Sequence, residues 1–539
     1  MRRLSAGLFS VFLSTLTLAA FSQADIILVN GKVFTSNQNH LFAQAVAVKA
    51  NKILAVGNDA DIKNLATAKT KVIDLQGKTV VPGFNDAHYH HEPYLAGYSI
   101  FYPQDGSEPS WQQLTDSIQA AVKSLPAGTF IYATMGNVIG TDTTITRRQL
   151  DALSPDHPLL ISAYWGHVGY FNTAMMKALH IEESEKDPQG GYFERYAGTR
   201  ILNGRAHEYA NVILHYRQPR TAALFDASLQ DLGQQALHLG ITSIQNMCTG
   251  GRPEEYISAF RKTELPIRFR LIRWGMVNSD GSLDVPSKQI QGAVKGLPLV
   301  MVSGTKWVLD GTPIERDAWM NMNYQDMPTR GRLNFSKAQV QAMLSDVQSR
   351  KDQPIFHVVG DASINYLLDE LSKQPASWKG RRVRFEHGDG LMPARYEQAK
   401  KLGIMVIQNS THFTLVDLLP KRFDPVTLSG EQPLKSLINA GIPVALGSDG
   451  PLSPYVNIMF ASMHPLRPQE AITREQAVIA YTKTAAYAEG ADNKGMLAPG
   501  QLADLAVLSQ DIFTIPLQQL PATRSLLTMV DGKIRYRAE

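Results

Sequence analysis

Residues 80–92 read VVPGFNDAHYHHE, and they constrain the fold more than any other part of the chain. After a Pro-Gly break, Asp86, His88 and His90 occupy alternate positions. In a β-strand, residues i and i+2 point to the same face, so the two imidazoles would project together from one strand end. Two such imidazoles can share a metal ion, whereas the alternative is a pair of polar residues on a solvated strand end. His91 would point to the opposite face of the strand, where we expect a structural role.

The first 24 residues have the pattern of a secretory signal peptide. Arg2 and Arg3 precede an apolar run over residues 4–21, and Ser-Gln-Ala at 22–24 supplies small residues for cleavage. The apolar run contains several serines and threonines, which argues against an uncleaved membrane anchor. We therefore expect a signal peptide over 1–24, a periplasmic or secreted protein, and no membrane association after cleavage.

The composition is that of a soluble globular protein, with 44% hydrophobic and 19% charged residues in 539. The formal net charge of +4 falls to +2 when Arg2 and Arg3 are removed. No basic tract with interleaved aromatic residues is present, so we expect no nucleic-acid partner. Cys248 is the only cysteine, which excludes an intrachain disulfide framework. The expected partner is a small-molecule substrate, and a homodimer is compatible with the sequence.

Both ends of the chain carry alternating apolar and polar residues between Gly and Asn turns, which predicts short antiparallel strands. We predict one composite β-sandwich domain from residues 25–80 and 495–539. The intervening residues, 81–494, alternate strand and helix patterns, which is typical of parallel α/β architecture. A long segment at about 94–240 follows the predicted strand that carries His88 and His90. We interpret it as an insertion that covers the open end of the α/β domain, which is a barrel by the strand count that follows.

Eight strand patterns fit the middle of the chain, which is the number that closes a (β/α)8 TIM barrel. They lie at 84–90, 241–247, 268–274, 299–309, 354–359, 382–387, 404–408 and 443–449. Barrel enzymes carry their chemistry at the carboxyl ends of these strands. Ligand-type residues fall at five of the predicted ends, and they are His88, His90, Lys306, His357, His387 and Asp449. Each alone is weak evidence, but together they predict a metal site.

Several motifs resemble one family over nearly the whole mature chain. They are PGFNDAHYH, KWVLDG, HVVGD, RFEHG and LGSDGP at the strand ends, with DIILVNGKVFT and LAPGQLADLAVL at the chain ends. The family is the metal-dependent amidohydrolase superfamily, in its family 3 branch, which includes N-substituted formamide deformylase-like proteins. The resemblance implies a hydrolase that acts on a carbon–nitrogen bond through a metal-activated water.

The resemblance also implies a ligand set. His88 and His90 would hold one metal with Asp449, His357 and His387 would hold a second, and Lys306, as a carbamate made with carbon dioxide, would bridge them. The expected metal is Zn²⁺, with one or two ions, and Mn²⁺ or Fe²⁺ are the other candidates. Asp449 would orient the water and accept its proton, and His387 is a second catalytic candidate. Lys306 could instead pair with Asp310 or contact the substrate.

Three further residues are predicted to contact the substrate: His167, Trp165 and Asp310. His167 belongs to a Gly-His pair that matches the family, although it could instead order the insertion. Residues 163–165, Ala-Tyr-Trp, depart from the Arg-Val-Asp-like run of that branch. This departure argues against carrying over the whole substrate of a relative unchanged.

We expect an amide-type, non-peptide carbon–nitrogen bond as the target. The same scaffold could serve ester or lactone hydrolysis, or a non-hydrolytic isomerisation or decarboxylation. The alternative that is not an enzyme is an exported binding protein whose metal is structural.

Overall fold

A computed structural model describes residues 23–100, 108–278, 282–284, 294–378 and 380–538. The expected signal peptide, residues 1–24, lies outside the described residues except for its last two positions. Within the described part of the chain, no helix combines the length and apolar character needed to cross a membrane.

Eight parallel strands form the central sheet, in the order of the chain. We number them barrel strands one to eight: Phe84–Tyr89, Ile241–Met247, Arg268–Trp274, Val300–Val308, Pro354–Val358, Arg384–His387, Met405–Gln408 and Val444–Leu446. Just beyond strand eight, the Asp449 amide donates a 2.8 Å hydrogen bond to the His88 carbonyl, which joins the last strand end to the first. The predicted (β/α)8 barrel is confirmed.

Helices cover the outside of the barrel because each presents an apolar stripe to the sheet. They are Ala222–His238, Pro253–Lys262, Lys337–Arg350, Asp361–Ser372, Tyr396–Leu402, Lys435–Asn439, Pro454–Met463, Arg474–Ala480 and Lys483–Ala488. The last two helices are separated by a break at Thr482, whose hydroxyl donates to the Val478 carbonyl and lies 2.9 Å from the Ser36 hydroxyl.

Two small sheets lie at the ends of the chain. Ile26–Val29, Ala45–Lys49, Lys52–Gly57 and Lys71–Asp74 form a four-stranded sheet. Lys32–Phe34, Phe42–Ala43, Thr79–Pro82, Leu505–Leu508, Ser525–Val530 and Lys533–Arg537 form a six-stranded one. In the second sheet Thr79–Pro82 pairs with Leu505–Leu508, so residues distant in sequence share one apolar core. The exact boundaries at 80 and 494 remain predictions.

The segment between barrel strands one and two has its own mixed sheet. Its strands are Tyr98–Ile100, Ile131–Met135, Leu159–Ala163, Val168–Phe171, Gly191–Arg195 and Leu202–Glu208. Helices Trp111–Ser124, Arg147–Leu153, Thr173–Ala178 and Tyr209–Arg217 flank it. This is the predicted insertion, and its loop at 164–167 reaches the carboxyl end of the barrel.

Candidate metal centre

The histidines of barrel strand one converge as their alternation predicts. Nε2 of His88 lies 3.2 Å from Nε2 of His90, and both nitrogens approach Oδ1 of Asp449, at 3.2 and 3.3 Å. Nζ of Lys306 lies 3.2 Å from the same His88 nitrogen. Three strand ends, from strands one, four and eight, thus meet within a few ångströms.

A buried carboxylate determines which nitrogen of His88 faces this cluster. Nδ1 of His88 lies 2.5 Å from Oε2 of Glu386, and both side chains are fully buried. Burial alone would raise the pKa of Glu386, but the Arg384 guanidinium and His88 hold that pKa below its usual range. Glu386 is therefore anionic and accepts the Nδ1 hydrogen of His88, so Nε2 is the nitrogen that faces the cluster and could bind a cation.

The residues present fit a divalent cation. A ring nitrogen carries at most one hydrogen, so Nε2 of His88 cannot hydrogen-bond to His90, Lys306 and Asp449 at once. A cation at this point would satisfy the two lone pairs and the carboxylate together. Imidazole nitrogens with a carboxylate suit Zn²⁺, Mn²⁺ and Fe²⁺.

Asp449 reaches the cluster because the chain leaves strand eight in an unusual conformation. Its φ is 49°, in the left-handed region, which redirects the side chain at the strand end. Asp86 fixes Ser448, the residue before Asp449. Its carboxylate accepts hydrogen bonds from the Ser448 amide at 2.9 Å and from the Ser448 hydroxyl at 2.5 Å. The Tyr481 hydroxyl donates to the same carboxylate at 2.9 Å.

The histidines of strands five and six lie beside this cluster. The rings of His357 and His387 are 4.6 Å apart, and the His387 ring is 5.2 Å from His88. Burial lowers the pKa of both imidazoles well below the usual value, so both rings are neutral. Nε2 of His357 and Nδ1 of His387 are buried, and neither has a hydrogen-bond partner among the described residues.

Lys306 is buried in an environment that disfavours its ammonium form. It is 2% exposed, and burial lowers its pKa to about 8. Its Nζ lies 5.7 Å from the centre of the Trp274 ring and contacts His88. The alternative pairing of Lys306 with Asp310 is not observed.

One histidine at this centre is absent from the predicted set. His412 follows strand seven, and its Nε2 lies 3.5 Å from Oδ2 of Asp449. His387, His412 and Asp449 form a group whose ligand atoms lie within 4.8 Å of one another. The sequence signal is the polar run Asn-Ser-Thr-His directly after the strand.

The insertion brings His167 to the same place. Its ring lies 5.0 Å from that of His357, and its Nδ1 is 2.9 Å from Oε1 of Glu208. Trp165 is half-buried nearby and donates from its indole nitrogen to Glu315 at 3.1 Å. His167, Glu208 and Glu315 form a third group of close ligand-type atoms. The roles of His167 and Trp165 toward a substrate stay predictions.

Asp310 is hydrogen-bonded to other parts of the protein, and its contact with a substrate stays a prediction. Its side chain is completely buried. Its carboxylate accepts hydrogen bonds from four groups that surround the end of strand five: the amides of Val359, Gly360 and Trp319 and the hydroxyl of Ser363. Asp310 therefore holds two loops together.

Comparison with known proteins places these features in context. The sequence model of a family described as the amidohydrolase family matches residues 71–536. N-substituted formamide deformylase of Arthrobacter pascens is 24% identical over 95% of this chain and 98% of its own. Protein LONG AFTER FAR-RED 3 of Arabidopsis thaliana is 27% identical, over 97% of this chain and 94% of its own.

Solved structures share the fold. An uncharacterized metal-dependent hydrolase from Pyrococcus horikoshii OT3 superposes with a TM-score of 0.68 at 18% identity, over 92% of this chain and 99% of the other. Atrazine chlorohydrolase TrzN from Arthrobacter aurescens TC1, complexed with zinc, gives a TM-score of 0.52 at 14% identity, over 95% of each chain.

Proposed function

The chain belongs to the amidohydrolase family and is a metal-dependent hydrolase of carbon–nitrogen bonds, and we propose that it cleaves a small, non-peptide amide. We further propose that it does so in the periplasm or outside the cell, on the strength of the signal-peptide pattern over residues 1–24. The bound ion would be Zn²⁺, Mn²⁺ or Fe²⁺.

The convergence of His88, His90 and Asp449 carries this proposal. Their ligand atoms lie 3.2 to 3.3 Å apart at the carboxyl end of the barrel, where barrel enzymes place their chemistry. When bound, a divalent ion polarises a carbonyl oxygen and makes a water acidic enough to act as a nucleophile near neutral pH. His357, His387 and Lys306 are close enough to complete the ligand set.

Asp449 is the proposed proton acceptor. Its Oδ1 approaches His88 and His90, whereas its Oδ2 points to the other side of the site, 3.8 Å from Nε2 of His387. Burial would raise the pKa of Asp449, but His88 and its neighbours keep that pKa well below the usual value, so the group is anionic. Oδ2 can therefore take a proton from the attacking water and pass it to the leaving nitrogen.

Lys306 is proposed to act as a carbamate. Burial favours its neutral amine, and only a neutral amine adds carbon dioxide. The carbamate would present an anionic group next to His88, where an ammonium would be repelled by a cation. The resemblance implies that the carbamate would bridge two metal ions.

The acyl part of the substrate is proposed to be small. The relative from Arthrobacter pascens is named for N-substituted formamides, which have a formyl group as the acyl part. The rim formed by Trp165 and His167 would contact the amine part. Since residues 163–165 differ from the family run, the amine part is expected to differ as well.

The test is a metal and substrate screen of the mature protein. Protein purified without chelator should contain one or two ions per chain, and it should hydrolyse members of a panel of N-formyl and N-acetyl amines, with matched esters and lactones. His88→Ala should lose the metal and the activity, whereas exposed His40→Ala should keep both. Less than about half an ion per chain after reloading with Zn²⁺ or Mn²⁺ would overturn the proposal. If the protein hydrolyses only esters or lactones, the proposed activity would be ester hydrolysis and not amide hydrolysis.

A further inference from the structure

His412 occupies a distinctive place among the histidines of the centre. Strand seven ends at Gln408, and the short helical turn Ser410–Thr414 carries His412 to the rim of the barrel. The Asn409 side chain ties this turn to strand eight by donating to the Gly447 carbonyl at 2.9 Å. The side chain of His412 is 35% exposed, against 0% for that of His88.

The surroundings of His412 differ from those of the proposed metal ligands. A ligating histidine almost always donates its second ring nitrogen to a fixed partner. His88 has Glu386 as that partner, and His90 has the Thr249 hydroxyl at 2.8 Å. Among the described residues, the ring of His412 has no such partner. It stacks on His387 at 5.3 Å and approaches Asp449 without a hydrogen bond.

The most exposed histidine of the centre is His412, at 35%, followed by His90 at 24%. His88, Lys306 and His357 are each at most 3% exposed, so they offer little surface to a substrate. Nε2 of His412 also lies 3.5 Å from the proposed proton-accepting oxygen of Asp449, so a substrate at that oxygen would be within its reach. That contact is too long to occupy a donor fully, so the Nε2 hydrogen remains available to a substrate atom.

We propose that His412 is a substrate-contacting catalytic residue, which donates a hydrogen bond from Nε2 to the reacting carbonyl oxygen. This inference rests on the proposed function, because it requires amide hydrolysis at this centre. The hydrogen bond strengthens as negative charge develops on that oxygen, so it stabilises the transition state more than the bound substrate. The neighbouring Asp449 carboxylate favours the tautomer that carries the hydrogen on Nε2.

The experiment compares His412→Ala, His412→Asn and the exposed control His40→Ala, each prepared in one sample loaded with Zn²⁺ and in a second loaded with Co²⁺. Metal content and the Co²⁺ absorption spectrum are measured beside kcat and KM on the best panel substrate. Loss of one oxyanion donor costs about 10²- to 10³-fold in kcat, so His412→Ala should fall by that factor with unchanged metal content. His412→Asn keeps a donor and should recover part of the loss, and the control should match the wild type.

Two results would overturn the inference. Loss of an ion or a changed Co²⁺ spectrum in His412→Ala would make His412 a metal ligand, and an unchanged kcat would leave it without a catalytic role. If the metal-loaded wild type hydrolyses no panel member, the proposed function fails by itself. His412 is then judged by the binding of acetate, a product-like carboxylate, which His412→Ala should weaken and His40→Ala should not.

Discussion

Nδ1 of His88 lies 2.5 Å from Oε2 of Glu386, and both side chains are completely buried. Arg384 holds this pair in place, since its guanidinium contacts Glu386 at 2.7 and 2.9 Å and donates to the Ala87 carbonyl at 2.7 Å. Arg384 thus fixes both the backbone carbonyl of Ala87, directly before His88, and the Glu386 carboxylate that contacts the His88 ring. A proposed ligand is oriented before any ion arrives.

We predict that Glu386→Gln weakens metal binding. Loss of such an outer partner typically lowers metal affinity by about 10- to 100-fold. The variant also leaves buried Arg384 without an anionic partner, which costs about 3–5 kcal/mol of unfolding free energy in comparable pairs. Competition with a chelator measures the affinity, and urea unfolding measures the stability. The exposed Glu397→Gln is the matched control, and an unchanged affinity in Glu386→Gln would contradict the assigned role of Glu386.

We predict that Asp449→Asn removes most of the turnover while the fold survives. Asparagine keeps the shape of the side chain but cannot accept the proton of the water. Loss of a general base typically lowers the rate by about 10²- to 10⁴-fold. Asp449 is also a proposed ligand, so metal content must be measured in the same sample. A variant with near wild-type kcat would exclude Asp449 as the base.

The sequence predicts the end of strand one well because the rule of alternation continues from His88 to His90. The two rings meet as the spacing requires. The rule fails at the end of strand six. His387 has a φ of 68°, so it and its neighbour Glu386 both reach the centre, although alternation would place them on opposite faces. The contribution of Glu386 therefore has no signal in the spacing.

Loops beyond the strand ends account for the other differences. His412 lies in a helical turn four residues after strand seven, where no periodicity fixes the direction of a side chain. Asp310 follows strand four as a rim residue would, but it turns toward the amides of Val359 and Gly360. Whether a carboxylate faces a substrate or the unpaired amides of the next loop depends on tertiary contacts, which a single sequence does not contain.

We predict that Lys306→Ala loses metal and activity together. If Lys306 carries a bridging carbamate, its removal deletes an anionic ligand beside His88. Short carboxylic acids such as acetate can supply a similar anion and should restore part of both. The assays are metal content and turnover, with and without the acid. Exposed Lys421→Ala serves as the control. Full metal occupancy in untreated Lys306→Ala would leave the bridging role without support.

We predict that Gly447→Ala disturbs the centre through packing alone. Strand eight passes so close to strand one that a Cβ at position 447 would lie 2.4 Å from the backbone nitrogen of His88 and 2.7 Å from its Cβ. Both distances are shorter than real contacts allow, so one of the two strands must shift. Overpacking of this kind costs about 1–3 kcal/mol of unfolding free energy. Because the shift moves His88 relative to Asp449, metal affinity should fall as well.

Gly450→Ala is the matched control for this last prediction. It adds the same methyl group three residues further along, where the nearest atom, the Ser448 carbonyl oxygen, would be 3.9 Å away. Thermal unfolding and chelator competition on both variants separate the contact with His88 from a general effect of alanine in this loop. Equal metal affinity in the two variants would show that the spacing between strands one and eight does not limit the geometry of the site.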